Sequence, residues 1–228
     1  MLGSGSGGNA CVVQNENTMI LIDAGFSGAE IRRRMQLVGL EPYDLEACLI
    51  THEHGDHIKG ASILSRRHRV PLLMHPATKR AGRKKFSGSE RMRHFEMKEV
   101  MELGSLTVTS VPTLHDSASS TGFLVESGGV SLGYLTDLGA VTEDNFLAMR
   151  QADFLIMEAN HDRDMLWNGP YPPHLKARVD SRVGHLSNKD SAEFIALLAE
   201  LGNLNGVMLA HLSEKNNDPD LALSVVTE

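Results

Sequence analysis

Short apolar runs alternate with stretches of helical period along most of this chain. Residues 9–13 and 18–22 read as two β runs. Ser27-Gly28-Ala29-Glu30 has the spacing of a capping box, and it predicts a helix whose Ile31, Met35 and Val38 share a face. A buried strand is expected to end at Ile50, followed by a polar loop, a helix through Ile63 and Leu64, and a strand at 71–75. Residues 76–103 are basic and poorly periodic, which predicts irregular or helical structure. Further strands are expected at 106–111, 122–125, 130–136, 154–157 and 206–210. Helices are expected near Asn145, over 190–201 and over 219–226, with an aromatic, proline-rich loop at 167–173. This alternation of strand and helix is the signature of a layered α/β domain. With 228 residues and 41% hydrophobic content, one domain over 1–228 can bury its own core.

Composition narrows the function classes. A formal charge of −7 argues against a protein wholly given to coating nucleic acid. No apolar run approaches the roughly 20 residues that span a bilayer, and the glycine/serine opening, read as a linker, lacks the pattern of a signal peptide. Cys11 and Cys48 lie in apolar runs, which predicts buried free thiols and a reducing, cytoplasmic setting.

The chemistry concentrates in Thr51-His52-Glu53-His54-Gly55-Asp56-His57, just past the apolar run Ala47-Cys48-Leu49-Ile50. At a strand end, residues two apart point the same way, so His52 and His54 can grip one ion. Gly55 permits a sharp turn that brings in Asp56 and His57. An exposed loop that happens to be rich in histidine is the competing reading, but clustered imidazoles offer nothing to a core. Two ions need further ligands. His115, Asp137 and His211 each sit just past an apolar strand, where α/β proteins build sites.

These residues, His52-x-His54-x-Asp56-His57 followed by lone His115, Asp137 and His211, resemble the ligand set of the metallo-β-lactamase superfamily. The resemblance implies an αββα sandwich, with His52, His54 and His115 on one divalent ion, Asp56, His57 and His211 on a second, and Asp137 bridging. A donor set of imidazole and carboxylate without thiolate suits Zn²⁺, Mn²⁺ or Fe²⁺. Such a pair of ions would generate a bridging hydroxide, with Asp56 serving in catalysis.

Within the superfamily, Ile156-Met157-Glu158-Ala159-Asn160-His161-Asp162, Gly184-His185-Leu186-Ser187-Asn188 and His211-Leu212-Ser213-Glu214-Lys215-Asn216-Asn217 resemble the YycJ/WalJ-like branch. Its members are described as DNA exonucleases or as accessories of a two-component envelope system. The order Glu158, His185, His211 is also similar to tRNase Z. That likeness implies His185 as general acid and Glu158 as the group orienting it; the competing reading makes His185 a backbone-bonding residue before a helix capped by Ser187. Asn160 and His161 are expected at the substrate, and Asp162 beside a ligand.

Ten cations fall between Arg66 and Arg93, against the single acid Glu90. A solvated face is the bland reading; Arg83, Lys84 and Lys85 beside a phosphodiester-cutting centre would hold DNA backbone phosphates. The expectation is therefore a dinuclear metal-dependent phosphodiesterase, a DNA exonuclease. The alternatives are a small-molecule hydrolase of a cyclic phosphodiester or thioester, and a metal-stabilised regulatory protein. Oligomeric state, a homodimer included, is left open.

Overall fold

A computed structural model describes residues 1–227. The chain forms two compact units, one of residues 1–110 with 117–121, the other of residues 111–116 with 122 onward.

The first unit carries β1 (Cys11–Gln14), β2 (Met19–Ile22), α1 (Gly28–Leu37), β3 (Leu45–Leu49), α2 (Gly55–Ile58), α3 (Ala61–His68), β4 (Leu72–Met74), α4 (Pro76–Ala81), β5 (Met92–His94), β6 (Val100–Leu103) and the start of β7 (Leu106–Thr113). The first five strands make one sheet in sequence order. β1 and β2 pair antiparallel, and β2, β3, β4 and β5 run parallel. All four residues of β2 are buried, as expected of a continuous apolar run covered on both faces. Ile31 and Met35 of α1 join Leu21, Cys48, Ile50, Leu64 and Leu72 in a single core. Ser27 caps α1 by accepting from Glu30 N–H at 3.3 Å, but Glu30 turns its carboxylate to Arg33 and Arg34. Val38 falls one residue past the helix and is exposed, so the apolar face is a turn shorter than its period suggests.

Two further expectations change in this unit. Residues 76–103 include strands β5 and β6; β5 lies at a sheet edge, with both of its basic residues, Arg93 and His94, exposed to water. The glycine/serine opening is an ordered loop. Asn9 Oδ1 accepts from Gly5 N–H at 2.8 Å, Asn9 N–H donates to Asp56 O at 2.8 Å, and Gly3 bridges to Ala10.

The second unit continues with β8 (Ser120–Ser127), β9 (Val130–Leu135), α5 (Glu143–Met149), β10 (Phe154–Glu158), α6 (Arg163–Asn168), α7 (Pro173–Val179), α8 (Asn188–Ala199), β11 (Gly206–Ala210) and α9 (Pro219–Thr227). The second sheet has the order β11-β10-β9-β8-β7-β6, and β7 and β8 each run through residues of both units. β9, β10 and β11 are parallel, so each pair needs a helical crossover, supplied by α5 and then by α6 to α8. The expected loop at 167–173 is partly helical: Trp167 lies in α6 and Pro173 opens α7. The core of this unit joins Leu124, Leu135, Met157, Phe194 and Leu198. Among the described residues, no helix is long and apolar enough to cross a membrane.

Gly25 shows how tightly the opening loop clasps the histidine loop. A Cβ there would come 1.6 Å from Asp56 O and 2.5 Å from Asn9 N, both backbone atoms. Gly25→Ala is expected to cost more than ~2 kcal/mol in denaturant unfolding, the range of severe packing lesions; a change near zero would show that the clasp yields.

Candidate metal centre

The first unit gathers His52, His54, Asp56 and His57 on the loop after β3 and the short helix α2. The rings of His52 and His54 lie 4.5 Å apart, those of His52 and His57 4.1 Å apart. His52 and His57 are fully buried. Their orientation comes from Asp23, a buried carboxylate just past β2. Asp23 Oδ2 lies 2.7 Å from His57 Nδ1, and Asp23 accepts from Thr51 N–H at 2.9 Å and Thr51 Oγ1 at 2.9 Å. Because the Thr51 hydroxyl proton goes to Asp23, its oxygen can accept from His52 Nδ1, 3.0 Å away. Both imidazoles therefore carry a proton on Nδ1 and the ligand lone pair on Nε2. Asn9 Nδ2 lies 3.0 Å from His57 Nε2, a donor facing that lone pair. Burial pushes the Asp23 carboxyl above its ordinary range, with His57 and Thr51 pulling the other way.

The second unit repeats this construction around Glu158, the last residue of β10. Its Oε1 lies 2.8 Å from Nδ1 of His211 and 2.8 Å from Nδ1 of His185, and its Oε2 accepts from Leu138 N–H at 3.0 Å. Asp137, Glu158, His185 and His211 each offer one donor atom within 4.8 Å of the others. His211 Nε2 is 3.4 Å from Asp137 Oδ1, and His115 Nε2 is 3.8 Å from the same oxygen. His115 Nδ1 donates to Gly184 O at 3.0 Å, which again leaves Nε2 as the ligand atom. Burial lowers the His115 pKa, keeping the ring neutral as a ligand must be. Burial alone would push the Glu158 carboxyl up, but the His185 and His211 imidazoles hold it well below the carboxylate range.

Asp137, Glu158 and His211 sit at the carboxyl ends of three adjacent parallel strands, where open α/β sheets place ligands. Asp137 and His211 adopt φ of 56° and 55°, and Asp23 adopts 64°. Such left-handed backbone is uncommon outside glycine and costs about 1 kcal/mol per residue. The donor set of each unit therefore fits a divalent cation: imidazoles held at Nδ1 in His52, His57, His115 and His211, carboxylates near them, and no thiolate.

The remaining sequence candidates are placed as follows. His185 is partly buried and Ser187 caps α8, so the capping role and the Glu158 contact coexist. Asn160 is buried and donates to His211 O at 2.8 Å. His161 is fully buried, with Nε2 3.5 Å from Asp180, and burial lowers its pKa. Asp162 caps α6 by accepting from Met165 N–H. Arg83, Lys84 and Lys85 form an exposed 3-10 turn in the first unit. Asp23 was missed from the sequence, although it follows the apolar run Ile20-Leu21-Ile22 as Asp137 and His211 follow theirs. Cys11 and Cys48 are free and buried.

With this geometry in view, the beta-lactamase superfamily domain matches residues 18–211, and the chain belongs to that family. It is 36% identical over 97% of its length to the exodeoxyribonuclease WalJ of Streptococcus pneumoniae, covering 84% of that protein. It is 32% identical over its whole length to the exodeoxyribonuclease YycJ of Bacillus anthracis, covering 87% of it. Among solved structures, the metallo-β-lactamase fold protein YhfI of Bacillus subtilis superposes with a TM-score of 0.77 at 18% identity, over 99% of this chain and 90% of that one. The fold is thus the metallo-β-lactamase fold expected from the sequence.

Asp23→Asn keeps the shape but weakens the hold on His57 Nδ1. It is expected to lower divalent-metal affinity ~10–100-fold in a chelator competition. An unaltered affinity would remove Asp23 from the centre.

Proposed function

We propose that this protein is a metal-dependent phosphodiesterase that removes nucleotides from DNA ends. The observation that carries the reading is the buried Glu158 carboxylate, which holds a ligand imidazole, His211, and a partly exposed one, His185, by the same oxygen. An alkoxide leaving phosphorus needs a proton, and an imidazole braced at Nδ1 presents Nε2 to supply it. The two exodeoxyribonucleases similar to this chain over nearly its full length support the same reading.

In this reading His52, His54 and His115 hold one divalent ion, Asp56, His57 and His211 hold another, and Asp137 serves both. Zn²⁺, Mn²⁺ and Fe²⁺ all suit these donors. When bound, such a pair supplies an activated water and offsets the charge of the attacked phosphate. Asp56 orients the attacking oxygen. His185 passes a proton from Nε2 to the departing sugar oxygen, while Glu158 fixes the ring. Asn160 and His161 are covered by protein, so they act as supports: Asn160 steadies the backbone of His211, and His161 stands behind Asp180. Arg83, Lys84 and Lys85 are exposed and neutralise backbone phosphates, so binding is salt-dependent.

The reading is tested by supplying Mn²⁺ and end-labelled single and duplex DNA, beside bis-p-nitrophenyl phosphate and a thioester. Release of mononucleotides from ends supports it; turnover of the thioester alone overturns it. His185→Ala is expected to keep its metal content and lose ~10²–10⁴ in kcat, whereas lost metal would make His185 a ligand. Replacing Arg83, Lys84 and Lys85 together by Ala is expected to flatten the slope of log affinity against log salt by about 2, with bis-p-nitrophenyl phosphate turnover retained. An unchanged slope would take DNA off this surface.

A further inference from the structure

The phosphodiesterase reading leaves open what the centre holds beside the phosphate, and the second unit contains a cavity of about 410 Å³ with His185 in its wall. Helix α8 and two loops build it, one loop following β9 and one between α7 and α8. Gly139 keeps them in contact, since a Cβ there would come 2.3 Å from Ser181 O and 2.4 Å from Gly184 N. The floor is apolar: Val141, Leu186, Phe194 and Leu197 line it.

The rim is charged, and the charges are not equivalent. Asp180 and Asp190 share the single guanidinium of Arg163, at 3.2 and 2.8 Å, and Asp180 also accepts from Trp167 Nε1 at 2.9 Å. Glu193 lies 3.9 Å from Lys189. Arg182, by contrast, lines the same cavity, is exposed, and makes no ion pair among the described residues. The cavity thus offers apolar side chains, one arginine without an ion-pair partner among the described residues, and the imidazole assigned as proton donor. That combination matches a flat apolar ring joined to an anion, and the volume lies in the range of small-ligand sites, ~300–1,000 Å³.

We propose that this cavity takes the terminal nucleoside of the DNA strand being cut. The base lies on the apolar floor, and its phosphate sits between Arg182 and His185. A pocket for one nucleoside, placed at the proton donor, favours attack one residue from an end over attack within a strand.

The experiment uses the metal-loaded protein and two variants at exposed positions, Leu197→Trp, which fills the cavity, and Arg182→Ala. Each is measured on an end-labelled oligonucleotide and on methyl p-nitrophenyl phosphate, a diester with no nucleoside, and dAMP binding is followed by calorimetry. Both variants are expected to raise KM for the oligonucleotide about tenfold and to weaken dAMP by a similar factor, as for loss of one stacked or charge-held base. Turnover of the nucleoside-free diester is expected to stay within about twofold for Leu197→Trp, and to fall along with the oligonucleotide for Arg182→Ala, which removes a contact to the phosphate of both. Oligonucleotide cleavage and dAMP binding that match wild type in either variant, or a parallel fall on both substrates for Leu197→Trp, overturns the nucleoside assignment while leaving phosphodiester cleavage intact. A wild-type protein that cleaves neither substrate overturns the reading beneath it.

Discussion

Two buried carboxylates, Asp23 and Glu158, carry the organisation of the candidate centre. An imidazole in an apolar interior can point either nitrogen outward, and nothing in a histidine-rich loop decides which. A carboxylate at 2.7 to 2.8 Å from Nδ1 decides it, because the proton is drawn to that side and the lone pair is left on Nε2. Burying a charge is costly unless it is hydrogen-bonded. Each acid meets this condition with several donors: Thr51 twice on Asp23, and two imidazoles with the amides of Leu138 and Leu186 on Glu158. The difference in partners explains the opposite shifts. Asp23 accepts from one histidine and burial holds its carboxyl high, whereas Glu158 accepts from two and is held low.

The same residues show why strand ends are the building positions. Asp23, Asp137 and His211 each follow a strand and each turn the chain through a left-handed conformation. Glycine would adopt it at lower cost, so retaining a functional side chain there trades local backbone strain for a donor aimed past the sheet edge. Asn9 and Gly25 play the complementary part in the first unit. They let the opening segment lie against the backbone of Asp56, and that contact holds the last two donors of the histidine loop in register.

Much of this was legible in the sequence because the signals were local. The largely apolar runs at 47–50, 130–135 and 206–210 stand out, and a His or Asp just beyond each is readable without knowing the fold. The relation of Glu158 to His185 came from resemblance, since 27 residues separate them and no periodicity links the two. What failed to show was tertiary. Asp23 looks like any turn acid until His57, 34 residues on, is seen on it. β5 is three residues long with two of them exposed, so it carries no alternation to detect. The opening glycines read as a linker because their order depends on Asn9 and on a distant backbone carbonyl. Val38 looked apolar and in phase, but the helix ends before it.

Charge distribution supplies the last constraint. A protein of net −7 repels a polyanion on average, so any approach of DNA must be directed by its local field. The cations of 66–93 are mostly exposed, and the one acid within that span is Glu90, which accepts from Ser62, Ser87 and the amide of Gly88 and lies 3.9 Å from Arg66. Glu90 therefore closes a turn and offsets one of the ten positive charges. Exposed like charges close together in the chain destabilise the unit that bears them, by an amount that salt reduces. Stability alone would favour interspersing such charges with acids, which this span does once.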